Sequence, residues 1–205
     1  MIVLLILFQP EIKRALEQLG RTTQIDLSEE QDESERIISE ITSCCVRLSA
    51  RKVGALIVFE RKTGLKDYMD TGTTVDASIS APLLENIFEP NTPLHDGAVI
   101  IRGQRVASAA CVLCLSQNPA ISRDLGTRHR AGIGISETTD ALSLIVSEET
   151  GTISIAQDGE ITRGLDAETL SQVLRSLYHE DHNRMWRFLH TRHKKSRGGE
   201  AHEEE

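Results

Sequence analysis

The sequence predicts an α/β fold, a single globular domain whose central mixed β-sheet is flanked by helices. Three observations carry this. Apolar runs of strand length alternate with segments of helical period. Two of the strands are joined by the two-residue turn Gly103-Gln104, so the sheet contains an antiparallel hairpin as well as crossovers. At 205 residues, with 39% hydrophobic and 26% charged, the chain can bury the core of one domain.

The elements follow in order. Met1 to Phe8 is strongly apolar, but far shorter than the roughly 20 residues of a membrane helix. It also lacks the basic leader and small-residue cleavage site of a signal peptide. A buried strand and the remnant of an upstream membrane segment both fit it. Pro10 to Leu19 reads as a short helix and Arg21 to Asp32 as a polar connector, so residues 1–27 form a lead-in. Ser28 and Gln31 make a capping box for a longer helix, in which Ile37, Ile38, Ile41, Cys45 and Leu48 recur at helical spacing.

Val53 to Phe59 is a buried strand ending at the Arg61 to Gly64 turn, and Ser80 caps a helix through Phe88 with Pro82 tolerated in its first turn. Gly97 to Arg102 and Arg105 to Leu115 are the hairpin strands. Ser116 to Leu125 is a polar loop. The segment after it opens a helix, despite the cost of Gly132 and Gly134. Ala141 to Ser147 is a further strand, and Gly151 and Asp158-Gly159 punctuate short ones. The last helix starts near Asp166 and buries Leu170, Val173, Leu174 and Leu177. The folded domain is thus expected over residues 28–178, with residues 179–205 a charged, largely disordered tail. Five of the seven histidines fall in that tail, at spacing too irregular for a metal site.

The formal charge of −8 and an aromatic content of only 3% argue against nucleic-acid binding, which uses basic grooves and stacking rings. Against that acidic background, any cluster of Arg and His gains weight. Cys111 and Cys114 have C-x-x-C spacing, but they sit in the apolar run Val106 to Leu115 and no second pair exists. Buried free thiols in a reducing cytoplasm are the better reading.

Two segments carry the chemistry. N-T-P-L-H-D-G-A, from Asn91 to Ala98, offers an acid where a loop enters a strand. G-T-R-H-R, from Gly126 to Arg130, concentrates cationic and hydrogen-bonding groups at a helix start, where free N–H groups add to the field. Together they provide what a polyphosphate and its metal require. Each taken singly has a plain reading: Asp96-Gly97 as a common turn, Thr127 to Arg130 as a salt-bridged helix start, Ser147-Glu148 as a strand end.

These segments, with G-A-L-I-V-F-E-R-K-T-G-L from Gly54 to Leu65 and S-E-E-T-G from Ser147 to Gly151, resemble the diadenylate cyclase family from about Glu35 to Leu177. Within it, the chain is most similar to the cytoplasmic catalytic domain of the membrane-anchored CdaA type, whose transmembrane helices precede F-Q-P-E, here Phe8 to Glu11.

The resemblance implies condensation of two ATP molecules into cyclic di-AMP with release of two pyrophosphates, using Mn2+ or Mg2+, in a homodimer whose protomers each bring one ATP. It implies Asp96, Arg128 and His129 as catalytic residues and His95 and Asp96 as metal ligands. ATP would be held by Gly97, Ala98, Leu113, Gly126, Thr127, Arg128, Arg130, Ser147 and Glu148. Gly97 and Ala98 would let the nucleotide approach the backbone. Val112 stands where many relatives carry a tyrosine, so base stacking is absent there. The resemblance also implies a YbbR-type regulator and phosphoglucosamine mutase as partners. A nucleotide sensor without turnover, and a scaffold using its Arg motif at an interface, are the competing expectations.

Overall fold

The computed structural model describes residues 32–122 and 124–178. The expected N-terminal lead-in, the Ser28 capping box and the charged tail lie outside them. By internal contacts the chain divides into Met1–Arg36 and Ile37–Glu205, and the account below concerns the second.

Seven strands form one sheet in the order β2-β4-β3-β1-β5-β6-β7. They are β1 (Ala55–Glu60), β2 (Thr73–Ser78), β3 (Ala98–Arg102), β4 (Arg105–Cys111), β5 (Leu142–Val146), β6 (Ile153–Gln157) and β7 (Glu160–Arg163). Only β1 and β3 pair in parallel. Every other neighbour is antiparallel, so the sheet is mixed as expected. Helix α1 occupies residues 32–51, followed by α2 (Lys66–Met69), α3 (Ala81–Phe88), α4 (Thr127–Thr138) and α5 (Ala167–Tyr178).

β1 is central and covered on both faces. Ala55, Ile57 and Phe59 join a core with Ile37, Ile41 and Leu48 of α1, Leu84 and Phe88 of α3, and Leu170 and Leu174 of α5. Leu56 and Val58, pointing the other way, pack with Met69 of α2 and Ala131, Ile133 and Ile135 of α4. Burial on both sides explains why this strand reads as one apolar run without alternation.

The elements missing from the sequence reading are α2 and β2. The first is a four-residue turn, and the second is an edge strand with four of its six residues exposed, so neither carries a hydrophobic period. The strand read as Arg105 to Leu115 ends at Cys111, because β4 bulges. Between Ala98↔Cys111 and Ile100↔Ser108 it carries one extra residue, and Ala110 takes φ +55°. Beyond the bulge Val112 and Leu115 are exposed. Ser80 is at the N-cap of α3, but its side chain makes no capping bond. The Ala81 N–H instead donates to Glu40 Oε2 at 2.6 Å, a cap supplied by α1.

Candidate functional site

The pairing of β1 with both of its neighbours assembles the site. Ile57 lies opposite Val99 in the parallel pair, and Ala55 lies opposite Val146 in the antiparallel one. The start of β1, the start of β3 and the end of β5 therefore meet at one end of the sheet. Asn91 to Gly97 enters β3 there, and Ser147-Glu148 leaves β5 there. The end of β4 joins them through Ala98↔Cys111.

α4 brings the fourth segment. It is buried nearly all round, between the sheet and the strand-exit loop 112–116. Its two glycines account for that seat. A Cβ at Gly132 would come within 3.0 Å of Ile145, and one at Gly134 within 2.2 Å of the Cys114 carbonyl oxygen. The loop is pinned to the helix by Ser116 N–H donating to the Arg130 carbonyl at 2.9 Å, and by the Ser116 hydroxyl bonding Glu137. Thr71 holds the loop's other end, its Oγ1 accepting from Val112 N–H at 2.9 Å while donating to the Tyr68 carbonyl at 2.6 Å.

Gly126 is the N-cap of α4 and offers no side-chain cap, so the first-turn N–H groups face outward beside Arg128. Arg128 ties the segments together. Its Nη1 donates to Glu148 Oε2 at 2.5 Å and its Nη2 to the His95 carbonyl at 3.4 Å. A cleft at this point is lined by Gly126, Thr127, Arg128, His129, Ser147 and Glu148, with Asp124 and Glu149 at its edge. Asp124 is held by Arg163 at 2.8 Å.

Two buried nitrogens here have no hydrogen-bond partner among the described residues, Arg128 Nε and His129 Nε2. A buried polar group left unpaired costs about 1–3 kcal/mol, which a ligand oxygen could relieve. Burial, with the Arg163 charge adding to it, holds the His129 pKa below its ordinary value, so the ring is neutral near pH 7.

On the opposing edge, His95 Nδ1 lies 2.6 Å from the Thr92 carbonyl oxygen. That oxygen can only accept, so in the neutral ring Nδ1 carries the proton and Nε2 keeps its lone pair. Asp96 is exposed and makes no hydrogen bond or ion pair with any described residue. A carboxylate and an imidazole with an available Nε2 on consecutive residues are donors that suit Mn2+ better than Mg2+, which prefers oxygen ligands alone. No group of three His, Cys, Asp or Glu gathers among the described residues. Such an ion would therefore need further ligands from phosphate and water.

Ser147 is buried, and its Oγ accepts from Thr150 N–H at 3.3 Å, closing the turn after β5. Leu113 is buried in the loop after β4, at the same end of the sheet. Gly97 has φ +123°, and a Cβ there would lie 2.8 Å from Ala110 C and Cys111 O, so the bulge of β4 takes up the space and by itself requires the glycine. Gly54 opens the motif running to Leu65 but its residue type suggests no site role; in the fold it sits beneath the Arg128–Glu148 pair. The C-x-x-C pair is split, with Cys111 buried and Cys114 exposed.

Comparison with known proteins identifies the family and the fold. The family model described as DAC, DisA bacterial checkpoint controller nucleotide-binding, matches residues 42–161. The chain is 49% identical over 175 residues to cyclic di-AMP synthase CdaA of Bacillus subtilis, covering 84% of this chain and 64% of that protein. It is equally similar to a diadenylate cyclase of Listeria monocytogenes, 49% identical over 175 residues with the same coverage, 84% and 64%. A crystal structure of DacA from Staphylococcus aureus, a double mutant, superposes with a TM-score of 0.70 at 49% identity, covering 72% of this chain and 98% of that one. The chain thus spans 64% of the length of the curated relatives it matches.

Proposed function

Because the chain belongs to the DAC family of nucleotide-binding domains, we propose that it is a diadenylate cyclase, joining two ATP molecules into cyclic di-AMP and releasing two pyrophosphates. The observation that carries this is the 3.4 Å contact from Arg128 Nη2 to the His95 carbonyl, which sets the guanidinium beside the segment bearing Asp96. One bound triphosphate can then meet both edges.

In this reading, the outward N–H groups of the α4 first turn, with Thr127 and Arg128, hold the phosphates and offset the charge that develops during transfer. His129 lines the floor of the same cleft as a neutral ring, and Arg130 adds positive charge one residue further along the helix. Ser147 and Glu148 close the side formed by β5. The loop carrying Leu113 receives the adenine. His95 Nε2 and Asp96 would hold a divalent metal, Mn2+ or Mg2+, which supplies Lewis-acid polarisation of phosphate oxygens.

Chemically, the 3′-oxygen of one ATP forms a bond to the α-phosphorus of the other, and the bond from that phosphorus to the oxygen bridging to pyrophosphate breaks. Asp96, free of any internal partner, accepts the hydroxyl proton. Two such transfers close the ring. Since each protomer holds one ATP, two must face each other, and association becomes part of catalysis. A membrane anchor, a YbbR-type regulator and phosphoglucosamine mutase as partners belong to the same reading, as expectations that the resemblance implies. Among the described residues, no helix is long and apolar enough to cross a membrane.

The test is incubation with ATP and Mn2+ or Mg2+ and mass spectrometry of the products, over a range of protein concentrations. Cyclic di-AMP should appear, at a rate rising faster than linearly while dimers are sparse. Nucleotide binding with no product at any concentration would favour the sensor reading.

A further inference from the structure

Gly54, just before β1, is a glycine for a reason its own backbone does not supply. Its φ lies outside the left-handed region, so an L-residue could adopt the same conformation. What excludes a side chain is space. A Cβ there would lie 2.7 Å from Arg128 Nη1, 2.9 Å from Glu148 Oε2 and 3.0 Å from Arg128 Cζ. Gly72, Gly97 and Gly134 differ in kind, since a Cβ at each would strike backbone atoms at 2.4, 2.8 and 2.2 Å. Those glycines serve packing between elements. At Gly54 the obstructed atoms are the ends of two site side chains, which can move aside without disturbing the sheet.

We infer that Gly54 is a positioning residue: its bare Cα is the seat on which the Arg128 guanidinium and the Glu148 carboxylate are set for the phosphates. The inference rests on the nucleotide reading of the cleft. The stem of Arg128 is confined, its side chain being 21% exposed with Nε buried, whereas the Glu148 side chain is 64% exposed. A methyl group at position 54 therefore lifts the guanidinium away from both Glu148 and the His95 carbonyl while the stem stays in place. The fold is spared and the aim of the charge is lost.

The test uses the full chain and 3′-deoxy-ATP, which lacks the attacking hydroxyl and so reports binding without turnover. Its affinity is measured by calorimetry for the wild type, Gly54→Ala, Arg128→Ala and the double variant, with ATP turnover followed in parallel. Gly64→Ala is the control, since its Cβ would meet nothing nearer than Glu60 Oε1 at 3.9 Å. Gly54→Ala should keep the wild-type melting temperature and weaken binding by roughly tenfold or more, the scale of one misplaced charge-assisted hydrogen bond. In the Arg128→Ala background the same change should have little further effect, a non-additivity that a general structural defect would not produce. Wild-type affinity in Gly54→Ala, an equal loss in both backgrounds, or a crystal structure of Gly54→Ala with Arg128 and Glu148 unmoved would overturn the inference while leaving the cyclase reading intact. A wild type that neither binds 3′-deoxy-ATP nor forms product would overturn that reading, and the inference with it.

Discussion

Arg128 reaches across from the first turn of α4 to the main-chain oxygen of His95, residues 33 apart in sequence. The contact sets the cationic edge of the cleft against the segment that carries the free carboxylate of Asp96. Mutation of either edge should therefore affect chemistry more than folding.

Asp96→Asn should leave the melting temperature within about 2 °C of wild type, because an exposed side chain without internal partners contributes little to stability. Cyclic di-AMP formation should fall by roughly a hundredfold or more, the scale of losing a general base and a metal ligand. Mass-spectrometric product analysis beside a thermal melt checks both. Substantial activity in the variant would remove Asp96 from the mechanism.

Burial holds the folded-state pKa of His129 below its ordinary value. Between those two pKa values the unfolded chain binds the proton and the folded chain does not. The contribution is thus complete above about pH 6.5 and declines as pH falls toward the folded-state value. Urea unfolding midpoints between pH 5 and 7 should show a shallower acid decline for His129→Gln than for wild type. Identical slopes would mean that the ring is protonated, or paired, in the fold.

Burial pushes the thiols of Cys44 and Cys111 up to about 12 and about 11, and that of Cys45 well above the ordinary range. Cys114 alone is exposed. A thiol reagent at pH 8 should label one cysteine rapidly in the native protein and four after unfolding, and Cys114→Ser should abolish the rapid phase. Fast labelling of Cys111 would mean that the end of β4 opens.

Thr71→Val keeps the shape of the side chain but removes the oxygen that accepts from Val112 N–H. Because that loop end is exposed, water can replace the lost partner, and stability should drop by no more than about 1 kcal/mol. The loop carrying Leu113 becomes less well held, so the KM for ATP should rise several-fold while kcat changes little. Steady-state kinetics separates the two. A fall in kcat alone would mean that the loop acts on chemistry and not on base binding.

The central strand, the hairpin and the helix beginning at Thr127 were legible in the residues, since each is specified locally by an apolar run, a turn pair or a helical period. The bulge at Ala110 was not, because it arises from the register between two strands. Nor was the replacement of Ser80 by Glu40 as the cap of α3, a contact 41 residues apart in sequence.

Residue types and their short spacings specify the chemistry on offer, namely an acid entering one strand, Arg and His opening a helix, and a hydroxyl and an acid leaving another strand. Local patterns carry that information because residue type and short-range spacing are written in the chain. Long-range pairing alone sets that Thr127, Arg128, His129, Ser147 and Glu148 line one cleft, that Arg128 reaches the His95 carbonyl, that His129 is buried there, and that Gly54 underlies the Arg128–Glu148 pair. This follows because β1 pairs in parallel with β3 and antiparallel with β5. That pairing brings a strand start and a strand end to the same edge, and no local pattern specifies it.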